Sequence, residues 1–196
     1  LELDLILAPY DVLGSKAHAQ MLTKVGLLSE EESLQIVEEL EKIYTQTQQG
    51  DFALEEGVED CHSQIEMLLT KQLGEVGKKI HSGRSRNDQV IVAMKLFAKD
   101  YLIKISKKVN DLFELWLKKS EENKGRLMPG YTHMQVAMPS SFGLWFGAHA
   151  ESLVDDLIMI KAAFDVTNKN PLGSAAGYGS SFNLDRNLTS ELLGFS

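Results

Sequence analysis

The sequence predicts an all-α protein, with short helices up to about Arg86 and helices of bundle length after it. Apolar residues recur at steps of three and four along most of the chain, and no segment carries a convincing run with the period of a strand. Cap and stop residues bracket several of these segments.

The first helix, near Tyr10 to Lys24, puts Leu13, Ala17 and Met21 on one face and stops at Gly26. The second opens at "SEEE", where Ser29 caps and Glu32 reaches back to the Ser29 amide. It runs through Leu34, Val37, Leu40 and Tyr44 to Gly50, a natural C-terminal stop. A third, over 58–73, aligns Cys61, Ile65, Leu68 and Leu69. Beyond "HSGRSRNDQV", the residues Met94, Phe97, Tyr101, Ile105, Val109, Leu112 and Trp116 mark a helix from Asp88 to about Asn123, roughly 50 Å long. Its opposite face holds Ile91, Ala98, Leu102 and Phe113, so it needs neighbours on more than one side. In "GRLMPGYTHMQVAMP" the breakers Pro129, Gly130 and Pro139 predict a turn, with Pro139 in the first turn of the next helix. That helix carries Phe142, Trp145, Phe146, His149, Leu153, Leu157, Ile160 and Phe164, and stops at Pro171. The glycine-rich "PLGSAAGYGSSFNLD" is a loop, and a short helix begins at Arg186. The natural division is 1–86, an amino-terminal helical domain, and 87–196, the beginning of a bundle domain.

Composition narrows the function. With 43% hydrophobic and 24% charged residues, the 196-residue chain has the make-up of an ordinary globular protein. No run reaches membrane-span length, and "LELDLILAPYD" has no leader pattern. The single Cys61 forms no internal disulfide, and no Cys/His spacing of the zinc type occurs, so a cytoplasmic protein without a metal site is expected. A net charge of -8 argues against a nucleic-acid partner. Within that acidic background Lys78, Lys79, Arg84 and Arg86 form a basic cluster suited to a small anion.

Two polar clusters stand out. In "HSGRSRNDQV", Gly83 serves a tight turn, Ser85 or Asn87 caps the long helix, and Asp88 favours its positive end. Capping needs one side chain, however, and this stretch offers several more, which makes an anion receptor an equally open reading. Because only Ser85 separates Arg84 from Arg86, one of the two is expected to be structural, bridged to an acidic helix. The second cluster is "PGYTHMQ", where His133 lies between the two longest helices, and histidine suits proton transfer near neutral pH. His18 and His149 read as packed residues, and His62 as hydrogen-bonded locally near Asp60. The loop from Gly173 to Gly179 lacks the Lys-Ser/Thr ending of a phosphate loop and reads as a close-packed turn.

Taken in order, "GSKAHAQML", "HSGRSRNDQV", "PGYTHMQVAMP" and "NPLGSAAGYGSSFNLDR" resemble the argininosuccinate lyase family of the fumarase/aspartase superfamily. The resemblance implies the fold of that superfamily, with a small amino-terminal domain and the first long helices of a central bundle. It also implies cleavage of argininosuccinate to arginine and fumarate, without cofactor or metal, in a homotetramer whose sites are shared between subunits. His133 corresponds to the catalytic histidine; Ser15, Ser85, Arg86, Asn87 and Thr132 correspond to substrate-binding positions. The family's catalytic serine loop, of the form GSSxMPxKxN, is absent, since "GSSF" at 179–182 is not followed by it. The chain therefore reads as the amino-terminal part of a longer enzyme, inactive alone. Alternatives are a non-catalytic crystallin-like relative, a lyase acting on adenylosuccinate or aspartate, and a helical interaction module.

Overall fold

The computed structural model describes residues 3–196. A 3-10 turn at Asp4–Ile6 leads into α1 (Ala8–Lys24), α2 (Glu30–Gln49), α3 (Cys61–Leu73) and the single turn α4 (Glu75–Lys78). After a second 3-10 turn come α5 (Arg86–Asn123), a hairpin of β1 (Leu127–Thr132) and β2 (Gln135–Ser141), α6 (Phe142–Thr167) and α7 (Arg186–Leu193). The described residues form two compact units: those up to Ala98 together with Asn168–Ser196, and Lys99–Thr167.

In the first unit, cap chemistry sets the helix limits. The capping box at Ser29 and Glu32 forms in both directions, and α2 ends at Gly50 in the left-handed conformation. Asp60 caps α3 by accepting from the Ser63 amide at 2.6 Å, which starts that helix at Cys61 rather than at Val58. Asp185 caps α7 in the same way. The core joins Val12, Met21 and Leu22 of α1, Ile36, Leu40 and Ile43 of α2, Ile65 and Leu69 of α3, and Ile80. Each such fully buried aliphatic side chain contributes about 1.5–3 kcal/mol. A smaller cluster of Val92, Leu172 and Phe195 fastens the segment after Asn168 onto the first turns of α5. Gly77 permits the tight packing of α4 on α3, because a Cβ there would lie 2.3 Å from the Leu69 carbonyl oxygen.

In the second unit, the rest of α5 pairs with α6. Gly143 sets their approach, since its Cβ would meet the Lys124 Cα at 2.5 Å. Trp116 stacks on Phe146 with ring centroids 5.3 Å apart and meets His149 at 5.8 Å.

Two sequence expectations are corrected here. The segment between the long helices is an antiparallel hairpin, with Leu127 opposite Ser141 and Pro129 opposite Pro139. Pro139 accordingly lies inside β2, and α6 starts three positions later, at Phe142.

Candidate functional site

The polar groups of the first unit converge on the segment leading into α5. Ser85 occupies the cap position: its hydroxyl accepts from the Asn87 amide at 3.2 Å, and its own amide donates to Asp88 Oδ1 at 2.9 Å. Gly83, with φ 71°, makes the preceding turn. Asp88 is almost fully buried, and its other oxygen accepts from the Gly173 and Ala175 amides at 3.0 and 2.8 Å. The glycine-rich loop is thus bound directly to the helix start. Arg186 completes the loop by donating to the Leu172 carbonyl at 3.2 Å and the Ser174 hydroxyl at 3.1 Å. Ala175 takes a positive φ of 49° there. A cleft of about 480 Å³ opens between this loop and the helix start, lined by Arg86, Asn87, Val90, Ser174, Ala175 and Gly177 among others.

A second layer lies behind the cleft. Arg84, fully buried along its side chain, donates to Ser15 Oγ at 2.9 Å and to Glu66 Oε1 at 3.4 Å. Arg86 donates to Glu66 Oε2 at 3.2 Å, to Ser63 Oγ at 3.4 Å and to Gln89 Oε1 at 3.1 Å. Gln89 in turn donates to Asp11 Oδ2 at 3.3 Å, and Asp11 Oδ1 pairs with His62 Nδ1 at 2.9 Å. Burial alone would lower the pKa of His62; the hydrogen bond and charge of Asp11 outweigh it and raise it. For Glu66, burial alone would raise the carboxyl, but the His81 hydrogen bond and the charges of Arg84 and Arg86 hold it down at about 2.

The structure places the sequence candidates as follows. Ser15 is buried on α1 with Arg84 on its hydroxyl. Ser85 and Arg86 are half-buried, and Asn87 is exposed and lines the cleft. Thr132 and His133 belong to the second unit, exposed at the hairpin tip, where His133 and Met134 take φ of 49° and 61°. A two-residue turn with both φ positive is the usual hairpin reversal, though it favours Asn-Gly over His-Met. Two details differ from expectation. His62 pairs with Asp11 instead of bonding near Asp60, and both arginines, not one, bridge to Glu66. No sequence pattern pairs Glu66, Asp88, Asp11 or Gln89 with these partners; the i, i+3 spacing of Ser63 and Glu66 on an apolar helix is the one local signal for a polar face. Among the described residues no cluster of His, Cys, Asp or Glu fits a metal ion. No described helix is long and apolar enough to cross a membrane.

This mostly helical scaffold with a polar cleft at a long helix's start belongs to the lyase family, whose sequence profile matches residues 1–195. Among its relatives, the argininosuccinate lyase of Bacteroides fragilis is 60% identical over 194 residues, covering 99% of this chain and 43% of its own. That of Xanthomonas campestris is 42% identical over 187 residues, covering 95% of this chain and 43% of its own. The chain therefore spans less than half the length of these relatives. Of solved structures, EDDS lyase in complex with formate superposes with a TM-score of 0.86 at 30% identity, over 98% of this chain and 38% of that one. A class II fumarase from Schistosoma mansoni shares the fold, with a TM-score of 0.78 at 21% identity over 96% of this chain and 43% of that one.

Proposed function

We propose that this chain is the amino-terminal part of an argininosuccinate lyase, which cleaves its substrate into arginine and fumarate. The observation that carries the reading is the 60% identity to a curated argininosuccinate lyase along nearly the whole chain. In this reading residues 1–86 form the amino-terminal domain and 87–196 open the central bundle. The complete enzyme is a cytoplasmic homotetramer in which each site draws on several subunits.

Elimination needs a base for the proton on the carbon beside a carboxylate, donors to hold that carboxylate as charge develops in it, and an acid for the departing guanidino nitrogen. The carbon-hydrogen electron pair becomes the fumarate double bond, and the carbon-nitrogen pair leaves with arginine. Ser85, Arg86 and Asn87 are assigned to the carboxylate, Thr132 to substrate binding and His133 to the proton acceptor, with the buried Ser15 supporting the site from behind. The transfers require no cofactor.

The test is fumarate release, followed by its ultraviolet absorbance, from argininosuccinate, adenylosuccinate and aspartate in parallel by the complete enzyme. Argininosuccinate should be turned over far faster than the other two, and His133→Asn should lower kcat about 100-fold or more with a smaller change in KM. Unchanged turnover in the variant removes His133 from the mechanism, and no fumarate release by the parent overturns the assignment.

A further inference from the structure

We propose that Glu66 is a positioning residue for this cleft: it binds and neutralises the guanidinium groups on both sides of Ser85, so that Ser85 and Asn87 meet a carboxylate as fixed, neutral donors. The proposal rests on the lyase reading above. Three residues of the segment 81–86 converge on this one carboxylate of α3. Oε1 lies 3.0 Å from His81 Nδ1 and accepts from Arg84, while Oε2 accepts from Arg86 at 3.2 Å. The far sides of the guanidinium groups are fixed as well, Arg84 on Ser15 and Arg86 on Gln89. The segment is therefore clamped through its side chains immediately before and after Ser85, and Asn87 follows in the first turn of α5.

Charge gives the clamp its second effect. Arg84 is buried, Arg86 is about one-third exposed and lines the cleft, and Glu66 keeps a quarter of its side chain exposed. With the carboxyl held at about 2, Glu66 stays ionised at any working pH, and the three groups together carry one positive charge instead of two. A fumarate dianion leaving the cleft is then held by hydrogen bonds and one net charge. Without Glu66 the Arg86 guanidinium on the cleft wall would be less compensated, and the buried Arg84 behind it would be offset by Asp11 and Asp88 alone, in a partly desolvated setting where charge acts more strongly than in water. Positioning and easy product release thus come from the same carboxylate.

The experiment measures argininosuccinate turnover, inhibition by fumarate and Tm in the complete enzyme carrying Glu66→Gln or Glu66→Asp. Glu66→Gln is expected to lower kcat and to strengthen fumarate inhibition about threefold to tenfold at low salt, an effect that fades as ionic strength rises. Glu66→Asp keeps the charge but withdraws it by one methylene, so kcat should fall while fumarate inhibition stays within about twofold of the parent. A merely structural role predicts lower Tm and kcat in Glu66→Gln with fumarate inhibition unchanged or weaker, which overturns the proposal. Should Glu66→Gln not fold, parental kcat in Glu66→Asp overturns it alone. If the parent itself releases no fumarate, the lyase reading fails; calorimetric titration of fumarate into parent and variants then decides the role of Glu66 independently, with unstrengthened binding in Glu66→Gln counting against it.

Discussion

His18 is fully buried, and its Nε2 donates to the Ser82 carbonyl at 2.9 Å, which ties α1 to the segment entering the cleft. Its Nδ1 has no partner, a state a neutral imidazole tolerates and a protonated one does not. Burial and then the charge of Arg84 push its pKa from 6.5 down to about 3, against the opposing pull of the Ser82 carbonyl. The unfolded chain takes up this proton near pH 6.5 and the folded chain only near 3, so the stability His18 contributes is whole above 6.5 and declines as pH falls toward 3. Between pH 6.5 and 5 the loss is about 2 kcal/mol. His62, shifted upward, acts in the opposite sense and loses its contribution as pH rises through its folded value, so the two histidines are separable by mutation. We expect that Tm of the parent, scanned at pH 7.5 and 5, falls more on acidification than that of His18→Gln. Equal slopes would show that His18 is not the group responsible.

Asp88 joins two elements that the chain separates by 85 residues, with three backbone amides on one buried carboxylate. In Asp88→Asn one oxygen becomes an NH2 group facing donors, which should cost about 2–3 kcal/mol. Hydrogen exchange should then quicken at the Gly173 and Ala175 amides well before it does in α2; uniform quickening would mean that the carboxylate stabilises the unit as a whole. The sequence could not name this partner, because no periodicity links Asp88 to Gly173. The same holds for Glu66, whose spacing from Ser63 marks a helix face but not what lies across from it. Helices were legible where apolar spacing and caps agreed, as at Ser29, Leu40 and Gly50. The hairpin was not: Pro129 and Pro139 read as breakers, yet they face each other in a two-stranded sheet, where both strands are edges and a missing N–H costs little. Of the candidate site, the helix start with Ser85 as a cap followed from local chemistry, whereas the burial of Ser15 depended on Arg84 folding back onto α1.

The second unit leaves much apolar surface in water. Along α6 only Gly143 and Ala150 are buried, while Leu144, Ile158 and Met159 are 67%, 63% and 74% exposed. On α5, Ile103, Ile105 and Leu115 are also exposed. An amphipathic helix normally shows one apolar stripe and covers it; here stripes remain on both helices after α5 and α6 have packed on each other. In the proposed enzyme, bundle helices from further copies of the chain would cover these faces. Each of these partly exposed Leu, Ile or Met side chains, once covered, contributes a fraction of the roughly 1.5–3 kcal/mol of full burial, and many together favour association. The 196-residue chain produced alone is therefore expected to sediment as an oligomer or aggregate at micromolar concentration and to release no fumarate. Ile158→Lys with Met159→Lys should shift it toward smaller species without loss of helix signal, because both side chains point into water in the single chain. A stable, monodisperse monomer of the unaltered chain in analytical ultracentrifugation would show that these faces need no cover, and would count against the bundle as its setting.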